Sequence, residues 1–495
     1  MKADICFILE GTYPYVAGGV STWVDQTIKA NPHLHFSILH LAANEESSKV
    51  LKYDVPHNVS KLNVAYLHET KLGSKGKPYN DKHTWETIRN FYSNLPNAEF
   101  ADFESMINAI FRDDGLVNSK SLLFSKKTWK LLIDLYGDKE ISLIDYFWTW
   151  RFTHLPLLSL LNADIPSASV YHSVSTGYAG LLACIAKIKN GGRMFLSEHG
   201  IYAKERKIEI SQSNWVYDER KEDYRASTNM GFFRQWWIEM FMVMSKIAYQ
   251  CADEVTTLFS GNYSMQLQHG CPAEKLTIIP NGIDTNGYRS VKEKRYKFRE
   301  ENPNAPFTIG FVGRVTPIKD VKTFIRAIKM VLEHTKHIKV FIMGPLEEDE
   351  DYVDECKILI DMFDLNDIMI FTGRVNVKEY YPQLDVVLLT SVSEGLPFVI
   401  LEAHAASIPC ISTDVGACKE LIYGLTAEDK ALGPSGEITQ VASPGQTASA
   451  IIRMIEDKNY YNAACTTSVA RVEMFYRIEN INAKYTHMYH SLMKR

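Results

Sequence analysis

Short apolar runs alternate along this chain with stretches of helical period, and the series plays through twice with a polar break between. Residues 5–9, 36–41, 62–67, 169–174 and 194–197 are apolar without strict alternation, as strands buried on both faces are. A parallel βαβ sheet is the expected outcome. Residues 254–258 and 276–280 close this first series. A polar, aromatic-rich region at about 70–165 interrupts it and is expected to be a helical insertion. Residues 286–304, rich in Lys, Arg, Glu and Asn, are expected to be a solvated connection. A second series follows, with strands expected at 307–312, 338–343, 368–371, 386–389 and 410–412, and helices at 320–333, at 352–363 and from Phe398.

The fold expected is therefore α/β, with two doubly wound Rossmann-like domains in series. Their spans are 1–290 for the first, carrying the insertion, and 291–475 for the second. Helical stretches at 447–456 and 481–493 complete the chain. The second places Tyr485, Met488 and Leu492 at helical spacing, and residues 476–495 are expected to pack at the domain boundary. Two such domains enclose a cleft, and open parallel sheets bind ligands at the carboxyl ends of their strands. The search for chemistry reduces to the strand-to-helix loops.

Composition removes several classes of function. Hydrophobic residues are 46% of the chain and charged residues 23%, so disordered, collagen-like and coiled-coil chains drop out. The net charge of −5 comes without a basic arm, so nucleic acid is not an expected partner. Eight cysteines form no C-x-x-C pair and no zinc-spaced cluster, which suits a reducing compartment. The run at 5–9, bracketed by Asp4 and Glu10, is too short for a signal-peptide core and is expected to be a first strand. Residues 236–251, broken by Glu239, Ser245 and Lys246, are expected to be an internal helix, and the chain to be a soluble cytoplasmic protein.

Four loops could carry chemistry. After the first run comes Glu-Gly-Thr-Tyr-Pro-Tyr-Val-Ala-Gly-Gly, where Gly18 and Gly19 open a helix and expose backbone N–H groups to a phosphate or a sugar, or else serve a turn that needs positive φ. Neither G-x-G-x-x-G nor a P-loop occurs. In the second series, Arg314 and Lys319 stand five residues apart at a strand end. A planar guanidinium fork and a mobile ammonium suit a diphosphate and the charge that grows on it as it leaves; a solvated loop is the other reading. Glu394-Gly-Leu-Pro then leads into a helix carrying Glu402, and a carboxylate there accepts two hydrogen bonds from vicinal hydroxyls. His199 ends a strand of the first series in Ser-Glu-His-Gly, where a structural role is the alternative. The triplet Asp349-Glu350-Asp351 has D-x-D spacing, but its place before a helix points to the helix dipole instead.

Taken in order, Gly18/Gly19, His199, the G-R-x4-K loop at Arg314 and Lys319, and Glu394-x7-Glu402 resemble the retaining family-four glycosyltransferases of GT-B fold. The segment Pro280-Asn-Gly-Ile-Asp adds to the likeness. The opening loop, Ser-Glu-His-Gly-Ile-Tyr and the insertion look like one branch, the cytosolic transferases of Pel-type exopolysaccharide synthesis. The resemblance implies a UDP-sugar donor, a growing glycan as acceptor, no metal or other cofactor, and partners among inner-membrane synthase subunits. It places Arg314 and Lys319 on the diphosphate and Glu402 on the ribose. Glu394 and the Gly395-Leu396 backbone fall on the donor hexose, with Val399 as a further substrate contact. The backbone at Arg374 and Val375 meets the uracil, Gly19 approaches the phosphates beside Gly18, and His199 bonds the transferring sugar. Glu394, His199, Arg314 and Lys319 would be the catalytic set. A nucleotide-sugar epimerase, a phosphorylase and a non-catalytic UDP-sugar-binding subunit of a membrane synthase are the rival readings.

Overall fold

The structure, a computed structural model, describes residues 2–67, 78–79, 81–111, 117–212 and 231–495. The chain divides into two compact units. One comprises Met1–Thr257, Asn262–Ile278 and Tyr485–Arg495; the other comprises Leu258–Gly261 and Ile279–Lys484.

The first unit is built on seven parallel strands: β1 (Ala3–Glu10), β2 (Phe36–Ala42), β3 (Val59–Tyr66), β4 (Ala168–Ser173), β5 (Arg193–Glu198), β6 (Glu254–Thr257) and β7 (Leu276–Ile278). Their order is β3-β2-β1-β4-β5-β6-β7, which puts the switch of winding direction between β1 and β4. Ile5, Cys6, Phe7, Ile8 and Leu9 of β1 are wholly buried, and each large side chain among them contributes about 1.5–3 kcal/mol by leaving water. That burial on both faces is why the strand reads as a continuous apolar run.

Between β3 and β4 lie the helices Lys82–Ser93, Phe100–Phe111, Ser119–Phe124, Lys126–Tyr136 and Leu143–Leu161. Residues 70–77, 80 and 112–116 of the expected insertion lie outside the described residues. The insertion is no loose appendage, since Phe103, Ile107, Leu131 and Trp150 share one apolar cluster with Leu181, Ile185 and Ile247 of the sheet-covering helices.

The second unit has six parallel strands: β8 (Phe307–Val312), β9 (Ile338–Met343), β10 (Met369–Gly373), β11 (Val386–Leu389), β12 (Cys410–Thr413) and β13 (Gly436–Thr439), in the order β10-β9-β8-β11-β12-β13.

Two readings of the sequence need correction. Residues 286–304 are not a solvated connection; Arg289–Glu301 is a helix. Arg295 is buried, its Nε donating to the Leu384 carbonyl and its Nη2 to the Tyr461 hydroxyl, while Arg299 pairs with Asp385 at 2.8 Å. Charge that looked solvated here anchors a helix. In the last helix, Ile478–Lys494, the buried face runs through Ile481, Tyr485, Tyr489 and Leu492, so Tyr489 takes the place expected for Met488. Tyr489 donates to or accepts from His172 Nδ1 at 2.8 Å, and Thr486 donates to Asn31 at 2.6 Å.

Candidate active site

In the second unit the expected residues sit on loops at the carboxyl ends of β8, β10 and β11. Main-chain bonds clamp the ends of β8, β9 and β10 together, Gly313 N donating to Met343 O and Gly344 N to Gly373 O, each at 2.9 Å. Gly344 has φ +152°, and a Cβ there would fall on the Gly313 carbonyl, so only glycine lets the strand ends close up. Arg314 leaves this clamp about half exposed and meets Glu348 at 2.8 Å. An exposed pair of that kind is worth about 0–1 kcal/mol, so a phosphate can displace it.

Lys319 ends the 3-10 turn Pro317–Lys319, and its Nζ lies 2.5 Å from Glu394 Oε1, which also accepts from Ser391 Oγ at 2.6 Å. The structure thus joins two residues that the sequence places on different parts of a ligand. The loop carrying Glu394 is tied down from both sides: Val392 N donates to Ile318 O at 2.8 Å, and Ala417 N to Gly395 O at 2.8 Å. Gly416, which sequence reasoning missed, has φ +55° and lies so close to the carbonyls of Glu394 and Gly395 that a Cβ would collide with both. Its signal was a glycine at the end of the next strand.

The helix Phe398–Ala405 begins after Pro397, and no side chain caps it. Its first amides, after exposed Gly395 and buried Leu396, carry the partial positive charge of a helix start. Val399 is half-buried against the apolar cluster behind them. On the same helix, Glu402 Oε2 accepts from the Tyr381 hydroxyl at 3.2 Å. Burial raises its pKa, opposed by hydrogen bonds from Tyr381 and Tyr288 and by the charge of Lys378. Lys378 in turn lies 4.3 Å above the Tyr288 ring. Tyr288, Lys378 and Tyr381 were not expected here, and no spacing in the sequence announces them. Arg374 is exposed beyond β10 while Val375 packs inward.

Asp349 caps the helix Glu350–Met362 by accepting from Tyr352 N at 3.0 Å, the helix-start role expected for the acidic triplet. Among the described residues no group of three or more His, Cys, Asp or Glu side chains could hold a metal ion. All eight cysteines are free and buried.

In the first unit, Gly18 caps and Gly19 begins the helix Gly19–Ala30. Gly18 is extended, with φ 170°, and Gly19 has no positive φ, so a turn requiring left-handed backbone does not explain the pair. A Cβ on either would meet nothing within 4 Å. No protein contact demands glycine there, and the open approach to the backbone is what the pair provides.

His199 follows β5. The Trp23 ring stands edge-on at 4.6 Å, and Nε2 is sealed from solvent without a hydrogen-bond partner among the described residues. Burial lowers its pKa to about 4, so the imidazole is neutral at pH 7. Two buried carboxyls brace this segment. Glu198 accepts from Tyr249, from Gln266 at 2.7 Å, from Thr176 at 3.1 Å and from Tyr202 N at 3.0 Å; Glu10 accepts from the Tyr202 hydroxyl at 3.0 Å. Burial raises both pKa values. Glu10, Ser175, His199, Tyr202 and Glu205 line an open pocket of about 420 Å³.

Residues 3–274 match a family described as "Domain of unknown function (DUF3492)", and residues 306–457 match "Glycosyl transferases group 1". The capsular polysaccharide biosynthesis glycosyltransferase CapM of Staphylococcus aureus is 24% identical over 262 residues, 51% of this chain and 65% of that protein. The O-antigen biosynthesis glycosyltransferase WbnH of Escherichia coli is 35% identical over 126 residues, 26% of this chain and 34% of that protein. The chain thus spans less than two thirds of the curated relatives it matches, 65%, 36% and 61% of the first three. Among solved structures, HepE of Anabaena in complex with UDP superposes with a TM-score of 0.60 at 16% identity, covering 99% of this chain and 100% of that one. Sucrose-phosphate synthase of Thermosynechococcus elongatus gives 0.59 at 14%, covering 99% of both. The shared architecture is the GT-B fold. Since the first match alone spans more than half of the 495 residues, the chain belongs to the family of the domain of unknown function DUF3492, followed here by a group 1 glycosyltransferase domain.

Proposed function

We propose that this chain is a retaining glycosyltransferase that moves a hexosyl unit from a UDP-sugar to a growing exopolysaccharide of the Pel type, in the manner of PelF. One observation carries the donor half of this reading. Arg314, Lys319 and an uncapped helix start converge on neighbouring strand ends, with Glu394 held between Lys319 and Ser391. A diphosphate satisfies all three positive groups at once, and a nucleoside diphosphate leaving a sugar needs that stabilisation most in the transition state. Its arrival draws Lys319 off Glu394, freeing a carboxylate for sugar hydroxyls. Glu402, beside two tyrosines, suits a ribose diol.

The choice of uridine is supported by HepE, whose crystals contain UDP, UDP with glucose, and UDP-glucose. The choice of a polysaccharide acceptor is supported by the relatives named for capsule, lipopolysaccharide and O-antigen synthesis. The assignment to the Pel branch rests on the opening loop and Ser-Glu-His-Gly-Ile-Tyr. In this reading His199, a neutral imidazole in the pocket lining, hydrogen-bonds the transferring sugar, Gly18 and Gly19 leave room for the phosphates, and the cations do the work a metal does elsewhere. Membrane synthase subunits remain the proposed partners.

The test is a donor screen that follows UDP release with and without oligosaccharide, alongside calorimetry with UDP-sugars. Acceptor-dependent release from one donor is expected. Failure of the wild-type chain to bind any UDP-sugar would overturn the reading, and binding without turnover would turn it into that of a binding subunit.

A further inference from the structure

The helices between β3 and β4 carry more apolar surface than their core uses. Phe124, Trp129, Ile133, Ile144, Trp148 and Phe152 each leave between 37% and 69% of their surface in solvent. The cause lies in the helix Leu143–Leu161. Tyr146, Trp150 and His154 turn one face inward, while Ile144, Trp148 and Phe152 repeat every fourth residue on another. The exposed rings form one continuous patch. Trp129 lies 6.2 Å from Phe147, Phe147 lies 5.4 Å from Trp148, and Trp148 lies 5.9 Å from Phe152. The Arg151 guanidinium, 5.5 Å from the Phe124 ring and 5.7 Å from Trp148, joins a second helix to it.

Charge identifies what covers this patch. Residues 119–133 contain Lys120, Lys126, Lys127 and Lys130 and no Asp or Glu, and across 119–152, where Lys139 and Arg151 join them against Asp134, Asp138, Glu140 and Asp145, cations still outnumber acids by six to four in a chain whose net charge is −5. All four lysines are exposed. Protein interfaces deplete lysine at their centres, whereas lysine interleaved with Trp and Phe suits the headgroup region of an anionic membrane. No helix among the described residues is long and apolar enough to cross a bilayer, so such contact is peripheral.

We propose that this patch seats the chain directly on an anionic lipid bilayer, with Trp129, Trp148, Phe124 and Phe152 at headgroup depth and Lys120, Lys126 and Lys130 on lipid phosphates. The contact needs no protein intermediary and is independent of which sugar is transferred.

Flotation of the full chain with phosphatidylcholine vesicles, with and without phosphatidylglycerol, tests this. The chain is expected to float with the phosphatidylglycerol vesicles at low salt, to stay down with phosphatidylcholine alone, and to be released as salt is raised. Lys126→Gln with Lys130→Gln should weaken partitioning roughly fivefold for each lysine neutralised. Trp129→Ser with Trp148→Ser and Phe152→Ser should abolish it, while thermal unfolding and UDP-sugar turnover in solution stay as in the wild type. The proposal is overturned if the wild type does not float with anionic vesicles at low salt, or if both variant sets float as it does. Flotation only when the vesicles carry membrane proteins would likewise overturn it, in favour of a protein partner.

Discussion

Arg471 is the largest side chain in the second unit withdrawn completely from water. Its guanidinium donates to Asp429 Oδ1 at 2.6 Å, to Ser435 Oγ at 2.9 Å, and to the carbonyls of Ile422, Asp429 and Gly433. A buried cation survives only where every donor is satisfied, and here the planar fork stitches three main-chain carbonyls to one helix. Arg471→Ala strands Asp429 and those carbonyls, and should cost about 3–5 kcal/mol in urea unfolding. A loss below about 1 kcal/mol would mean that water enters and replaces the guanidinium. Nothing in the spacing of the sequence marks Arg471, because its partners are main-chain groups. Arg314, Lys319 and Glu394 were legible, since their loops follow strands and their residue types suit a diphosphate. That Lys319 and Glu394 hold each other was not. The pairing separates two variants: Arg314→Ala breaks only an exposed pair, whereas Lys319→Ala leaves the mostly buried Glu394 carboxylate without its cation. Both should lower kcat/KM by about 10²–10³. Only Lys319→Ala should also lower unfolding stability, by about 1–3 kcal/mol. Equal stability losses in the two would contradict this geometry.

At the scale of elements, the loop bearing Glu394 depends on Gly416. Its left-handed backbone and its contact with two carbonyls are separate constraints, and Gly191, which has φ +70° and nothing within 4 Å of a Cβ, isolates the first. Gly191→Ala and Gly416→Ala should each cost about 1–3 kcal/mol of stability from backbone strain. Gly416→Ala alone should weaken UDP-sugar binding in calorimetry, because its Cβ pushes the Glu394 loop aside; unchanged affinity would show that the loop yields without moving its carboxylate. Elements were legible where burial leaves a periodic trace, as in the wholly apolar β1 or the helix Val321–Val331 with its clean apolar stripe. Strand β13 (Gly436–Thr439) and the helix Lys458–Phe475 were missed. The strand is short and mixed in polarity. The helix buries Ala464, Thr467, Ser468 and Arg471, so its inner face reads as polar. The helix Arg289–Glu301 was misread for the same reason, its buried face being supplied by Arg295 beside Val291.

Across the whole molecule, two sets of buried titrating groups oppose each other. Burial lowers the pKa values of His40, His154, His172, His199, His269 and His404, six of the fourteen histidines among the described residues. It raises those of Glu10, Glu198, Asp385 and Glu402. A neutral buried histidine contributes stability that is present above its unfolded pKa and is lost as pH falls toward its folded one. A carboxyl whose pKa is raised in the folded chain acts the other way: its contribution is present at low pH and is lost as pH rises through the folded pKa. The two sets partly cancel, so a single variant tilts the balance more readably than the wild-type curve does. His404 is the cleanest choice. It is wholly buried, neither ring nitrogen has a hydrogen-bond partner among the described residues, and burial with the nearby charge of Arg471 lowers its pKa to about 3. His404→Leu removes one proton-binding site from the unfolded chain and an unpaired polar ring from the core. Its unfolding free energy relative to the wild type should rise by about 1.4 kcal/mol for each pH unit below 6.5, and hold steady above pH 7.5. Urea titrations at half-unit steps measure that slope, and a difference that stays constant from pH 7.5 to pH 5 would show that His404 takes up its proton in the folded chain.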